Sequence, residues 1–348
     1  MDPIDYALAG YSALFMLLAA FTYTVAFLAF AWDLAKSSKT IQAVEKRIEQ
    51  KQAVRESVPA GSVAGTDMDK GIARDWDAEA GREAQTADAG MGYTGPRRNA
   101  ARVGVALTVL AAAIHAAGVI SRGMAAHRVP WGNMYEFCTT GALVVAVVFL
   151  VVLTRRDLRF LGTVVLGLVL VMMMAATIGF PTPVAHLVPA LQSYWLIIHV
   201  SVAVLASALF TLTFAMSVLQ LLQADRETRI RTGRPERLPF MRIVPSAQSL
   251  ENLSYRINAV AFVLWTFTLM AGAIWAEQAW GRYWGWDTKE VWTFVIWVVY
   301  AGYLHARATR GWTGTRAAWL SIVGYLCVIF NFGVVNVFFS GLHSYSGL

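Results

Sequence analysis

Histidine and tryptophan are the residues of this sequence whose chemistry and spacing call for explanation. The histidines are His115, His127, His186, His199, His305 and His343. A neutral imidazole is a metal ligand, and its charge changes near physiological pH. Tryptophan is unevenly placed. Of 13 in the chain, Trp275, Trp280, Trp284, Trp286, Trp292 and Trp297 fall within 23 residues, and Gly281, Gly285, Asp287, Lys289 and Glu290 are set among them. Indole offers a broad apolar face and one N–H donor. Two readings of this segment compete. An aromatic belt at a membrane surface accounts for Trp275 and Trp297. A surface for a large, flat, apolar ligand accounts better for the centre, Trp280 to Trp292, where the glycines let backbone approach closely. Asp287, Lys289 and Glu290 would then fix the loop by ion pairing or meet polar groups of the ligand.

The elements that must position these residues follow from composition. The 348 residues are 57% hydrophobic and 15% charged, with a mean hydropathy of +0.51, whereas a soluble chain carries about 25% charged residues. The apolar excess sits in long uncharged blocks, which makes this an all-α, polytopic integral membrane protein and excludes a disordered chain, a collagen and a disulfide scaffold. Cys138 and Cys327 lie inside apolar blocks and form no C-x-x-C, so neither a disulfide nor a zinc site is expected. No basic region precedes the first apolar run, so no cleavable signal peptide is expected.

A bilayer core of about 30 Å takes roughly 20 apolar residues. Eight blocks are candidates: Tyr6–Trp32, Val103–Ser121, Phe137–Thr154, Phe160–Gly179, Tyr194–Gln223, Ile257–Ala276, Val291–His305 and Ala317–Ser340. The seventh is short. If all eight cross and both termini are external, the internal segments 33–102, 155–159, 224–256 and 306–316 hold 12, 3, 7 and 3 Lys and Arg, 25 in all. Only Arg122, Arg128, Arg282 and Lys289 remain outside. That asymmetry fixes the orientation. The net charge of +7 is thus an insertion signal and a contact with anionic membrane lipid, not a nucleic-acid surface. Three regions follow: an N-terminal transmembrane helix over 1–32, a cytoplasmic linker over 33–102, and a seven-helix core over 103–348 with an external loop at 277–292. Within the linker, Ile41–Val54 has helical spacing and reads as a short amphipathic or paired helix, while Ser57–Gly95, rich in Gly, Ala and Asp, reads as disordered. No internal repeat supports an inverted-repeat transporter. The spans also lack the acidic and basic residues that ion-coupled carriers need.

This orientation puts His199 just below the external face, His343 at that face after the last span, and His305 at the cytoplasmic end of the seventh. His115 lies within span two, and His127 and His186 in external loops. Two external histidines beside an indole-rich loop point to bis-imidazole ligation of haem. Taken singly, each histidine reads more readily as a hydrogen-bonded helix residue or an interfacial side chain.

The segment Trp280-Gly281-Arg282-Tyr283-Trp284-Gly285-Trp286-Asp287-Thr288-Lys289-Glu290-Val291-Trp292 resembles the tryptophan-rich WWD domain of haem-handling proteins in cytochrome c maturation. The nearest likeness is to the CcsA/ResC subunit of the System II cytochrome c synthetase, whose actinobacterial members are often labelled CcsB. The likeness extends to Pro130-Trp131-Gly132-Asn133-Met134-Tyr135-Glu136, with Gly132 where the family has Ser, to Trp195–Val200, to His305 and to the C-terminal end, and so covers about 103–348. It implies that His199 and His343 ligate haem b externally and serve the synthesis reaction. It implies that His305 helps hold haem entering from the cytoplasmic side, and that Trp280, Trp284, Trp286, Asp287 and Trp292 contact the cofactor. It further implies a bacterial plasma-membrane location, a ResB-like membrane partner, and attachment of haem to C-x-x-C-H of apocytochrome c. The chain has no C-x-x-C-H of its own and so is not a c-type cytochrome. Two alternatives stay open: a System I-like haem-delivery subunit and a b-type membrane cytochrome. No role follows for His115, His127, His186, Tyr135 or Glu136.

Overall fold

A computed structural model describes residues 3–57, 90–93, 97–309 and 311–343. Among them all regular structure is helical, in eight principal helices: α1 Tyr6–Ser57, α2 Asn99–Ala125, α3 Met134–Leu153, α4 Gly162–Met174, α5 Tyr194–Arg231, α6 Ala247–Trp280, α7 Thr288–Thr309 and α8 Thr315–Ile329. Helical turns extend α4 to the range Arg159–Gly179 and carry α8, through a widened π-turn at Phe330–Val335, to Phe338. All but α7 are long and apolar enough to cross a membrane. The 22 residues of α7 span about 33 Å at 1.5 Å per residue, enough for a bilayer core. Its Trp, Tyr and His content and its terminal charges make it less apolar than the other seven. The chain is a polytopic helical membrane protein.

The N-terminal helix does not stop at Trp32. It continues to Ser57, so the expected separate helix over Ile41–Val54 is the same helix carried onward. Asp33, Lys36 and Lys39 look like a boundary in sequence. No Gly or Pro interrupts 33–57, however, and Ala, Lys, Glu, Gln and Arg all propagate a helix. Most of the expected disordered stretch, 58–89, lies outside the described residues. Gly90–Tyr93 are packed rather than loose: Met91 is buried and its carbonyl accepts from Asp157 N at 2.7 Å. Buried Asp33 pairs with Arg98 at 2.5 Å and ties α1 to the start of α2.

The two largest apolar cores share α5. One joins α1 to α5 through Met16, Tyr23, Phe30, Phe149 and Leu161. The other joins α5 to α8 through Phe210, Trp265, Tyr300 and Tyr325, with Phe210 stacked on Tyr300 at 3.8 Å. The helices alternate in direction. The α2–α3, α4–α5 and α6–α7 connections and the segment after α8 therefore gather at one end. Asp5 N bonds Ala125 O there at 3.0 Å, and Ser193 Oγ, capping α5, donates to Gln278 on the last turn of α6 at 2.8 Å. The opposite end carries the basic segments and the buried Arg307–Glu251 pair.

Candidate functional site

At the first of these ends a cavity opens between α3, α5, α6, α7 and the last span. It encloses about 1140 Å3 counting its mouth, and its lining includes His199, Trp275, Trp284, Lys289, Asn331 and His343. Most of the remaining wall is aliphatic or aromatic, as an apolar planar ligand requires.

His199 sits in the second turn of α5. Its Nδ1 lies 3.0 Å from the carbonyl of Thr268 on α6. A carbonyl only accepts, so Nδ1 carries the proton and Nε2 keeps its lone pair. The ring stacks on Trp275 at 5.8 Å and 10°. Gly272 makes room for it: a Cβ there would stand 2.7 Å from His199 Cε1. His343 reaches the same indole edge-on at 5.5 Å, and Trp280 at 4.8 Å. Its Nδ1 lies 3.1 Å from Asp287 Oδ1. Asp287 also accepts from Lys289 N at 2.9 Å and, through Oδ2, from Leu342 N at 2.8 Å. These bonds, the one from His343 foremost, hold the Asp287 carboxyl at about 2, below its usual 3.8. An ionised carboxylate accepts only, so His343 likewise is protonated on Nδ1 and leaves Nε2 free. Both imidazoles thus hold the tautomer that suits a metal ligand. This donor set and the apolar aromatic walls fit a bis-histidine porphyrin.

The loop beneath His343 is built by its own ends. Gly281, left-handed at φ 71°, ends α6 with its N–H on Glu277 O at 2.7 Å. Glu290 in the first turn of α7 turns back, and its Oε2 accepts from Gly285 N at 2.8 Å and Asp287 N at 3.0 Å, in the manner of a capping box. The expected loop 277–292 is therefore a seven-residue connection, 281–287, between two helix ends. Lys289 clasps the final span: its Nζ donates to Asn331 O at 2.9 Å and Asn336 Oδ1 at 2.7 Å.

Not every expected contact residue reaches the cavity. Trp284 lines it, and Trp280 packs on Trp275 and His343. Trp286 is 75% exposed, its ring edge-on to Trp284. Trp292 turns away to Phe330 at 4.2 Å. His305 is exposed near the far end of α7, about 24 Å along the helix from Lys289. Trp275, read from sequence as a belt residue, is 2% exposed and forms the wall between the two histidines, with Nε1 donating to Ala190 O at 3.1 Å. Trp297 is no simple belt residue either, since it donates to Thr266 Oγ1 at 2.9 Å inside the bundle. Sequence reasoning also missed Gly272, Asn331 and Asn336, which carry no motif.

Glu136, for which sequence gave no role, is buried at the start of α3 and paired with Arg122 at 2.9 Å and Arg128 at 2.8 Å. It accepts from Gly132 N at 2.7 Å, as Glu290 does from Gly285. Tyr135 lies under the Arg122 guanidinium at 4.3 Å. His115 is fully buried, edge-on to Tyr23 at 5.8 Å, and has no role in this cavity.

A family model described as cytochrome C assembly protein matches residues 131–343. The chain belongs to this family. It is 33% identical over 267 residues to the cytochrome c biogenesis protein CcsA of Guillardia theta, covering 72% of this chain and 88% of that protein. It is 33% identical over 269 residues to CcsA of a Synechococcus strain, covering 72% and 86%. It is 40% identical over 179 residues to CcsA of Prochlorococcus marinus, covering 46% and 57%. The segment matched by the cytochrome C assembly model runs from Trp131 to His343 and so takes in the whole cavity, leaving α1 and α2 outside.

Proposed function

We propose that the chain works in cytochrome c biogenesis by holding haem b as substrate between His199 and His343, on the external face of the bacterial plasma membrane, for attachment to C-x-x-C-H of apocytochrome c. One observation carries this reading: two imidazoles distant in sequence meet one buried indole, each with Nδ1 tied and Nε2 left bare. Haem supplies two vinyl groups. Each cysteine S–H adds across one vinyl C=C, so that a C–S bond forms, the thiol proton passes to the neighbouring carbon, and no net oxidation occurs. The residues of this chain orient and shield. His199 and His343 fix the iron axis, Trp275, Trp280 and Trp284 provide the apolar wall, and Asp287 and Glu290 hold the loop. The histidine of C-x-x-C-H then takes the place of one axial imidazole, which frees the product.

The resemblance to the System II synthetase supports the rest of the scheme: a ResB-like membrane partner, and His305 as a haem contact at the inner end. The exposure of His305 suits a position completed by another subunit. The basic asymmetry of the loops supports external placement of the cavity.

The test is absorption spectroscopy on purified protein, alone and with its partner. Wild type should carry low-spin, bis-histidine haem. His199→Ala and His343→Ala should each lose that spectrum and cytochrome c maturation, whereas His305→Ala should lose haem supply from inside. Normal maturation in the His199→Ala/His343→Ala double variant would reject the assignment. Co-purification of a haem chaperone in place of a ResB-like subunit would move the chain to a delivery pathway.

A further inference from the structure

A second cavity, of about 980 Å3 counting its mouth, lies between the α2–α3 connection and the segment before α5. Leu191 and Leu196 line it and the main cavity alike, so the two chambers share a wall. The function proposed above uses nothing in this side chamber.

One lining residue carries a donor without an acceptor among the described residues. Trp131 is 5% exposed, and its Nε1–H is buried without a hydrogen-bond partner among the described residues. The ring itself is fixed, stacked on Phe137 of the main cavity at 5.9 Å. An orphaned buried donor is costly and uncommon in a folded protein. His127 and His186, both exposed, add two imidazoles to the same wall.

The charge points the same way. Arg128 lines the chamber, and its guanidinium bonds both oxygens of Glu136, at 2.8 and 2.9 Å, and the carbonyl of Ala185. Arg122 binds the same carboxylate. Both guanidinium groups are at least nine-tenths buried. Among the described residues Glu136 is the one carboxylate bonded to either, so two buried cations share a single anion. Carbonyls of Thr182, Pro183, Val129 and Ala185 take other N–H groups of the pair but carry no charge, so a net positive charge stays at this buried cluster, where an anion is favoured.

We propose that this side chamber binds a carboxylate, whose oxygens accept from Trp131 Nε1 and from imidazole N–H groups of His127 and His186 and whose charge balances the Arg122–Arg128–Glu136 cluster. Two sources share that chemistry: a propionate of a porphyrin seated in the adjoining cavity, which rests on the function proposed above, and a small free carboxylate.

The test uses the full chain in detergent as wild type, as Trp131→Phe, which keeps the stacking and removes the donor, and as His127→Ala/His186→Ala, which alters only connecting segments. Succinate binding to haem-free protein is read by saturation-transfer NMR, and haem and haem dimethyl ester are titrated by absorbance. A carboxylate hydrogen-bonded in this chamber should favour haem over its diester by about tenfold or more. Loss of that preference in both variants, with diester affinity unchanged, would identify the propionate. Saturable succinate binding that both variants lose, with equal affinity for haem and diester, would identify a free carboxylate. If neither succinate binding nor the haem-to-diester ratio depends on Trp131 or the two histidines, the proposal is overturned. Should neither porphyrin bind wild type, the reading of His199 and His343 fails, and the succinate arm still decides the side chamber.

Discussion

An imidazole is a useful ligand only through a nitrogen that keeps its lone pair, and in this protein a hydrogen bond on the other nitrogen secures that. His343 donates that bond to Asp287, so Asp287→Ala should weaken haem retention by about 10- to 100-fold, and Asp287→Asn, which keeps an acceptor but no charge, should weaken it less. Equilibrium titration of the haem absorbance measures both; equal affinity in all three proteins would remove Asp287 from the ligand's support. The sign of the pH effect follows from the lowered carboxyl. The stabilisation from Asp287 is complete above about pH 4 and is lost as pH falls through 2. At this scale the sequence was informative about His199, His343 and Asp287, because an ionisable residue in or beside an apolar block stands out. It was silent on Trp275. An indole at a helix end serves a belt or a binding wall equally, and only the packing of α6 against α5 turns it inward.

Among the elements, α6 carries a position where the absence of a side chain matters. Gly272→Ala places a methyl 2.7 Å from the His199 ring. Alanine is a better helix former by about 1 kcal/mol, so circular dichroism should show undiminished helix while the low-spin haem spectrum is lost or altered. A variant with both unchanged would show that the ring has other room. The start of α3 gives a contrasting case. Glu136→Ala leaves Arg122 and Arg128 buried without their carboxylate, a loss on the order of 3–5 kcal/mol that should lower the thermal midpoint in detergent well below that of an exposed control such as Thr232→Ala. Helix existence was legible in the apolar blocks. Helix extent was not: the charges after Trp32 mark where α1 leaves the apolar layer, not where it ends. Helix facing was also hidden, since an apolar helix in a membrane shows little difference between its lipid and protein sides. Gly272 and the Lys289 clasp on Asn331 and Asn336 therefore had no signal in the sequence.

For the whole molecule the orientation is testable without any ligand. Val188 is 48% exposed at the cavity end, and Thr232 is exposed at the basic end. With Cys138 buried and Cys327 half-buried, a membrane-impermeant maleimide should label Val188→Cys in intact cells and Thr232→Cys only after lysis. The reverse pattern would invert the topology and place the cavity on the cytoplasmic side. The bias of Lys and Arg predicts this orientation from sequence because it depends on counting loops, not on knowing which side chains meet.

The two histidines are mounted differently. His199 belongs to the hydrogen-bonded ladder of a 38-residue helix, whereas His343 follows the non-helical segment beyond Phe338 and is secured through Asp287. One is bolted and the other latched, and the haem ligation proposed above would then have an order of departure. An incoming nitrogen donor should unseat the latched ring first and leave the bolted one in place, so stopped-flow mixing with free imidazole should give one fast and one slow exchange phase, and Asp287→Ala, which removes the latch, should speed the fast phase alone.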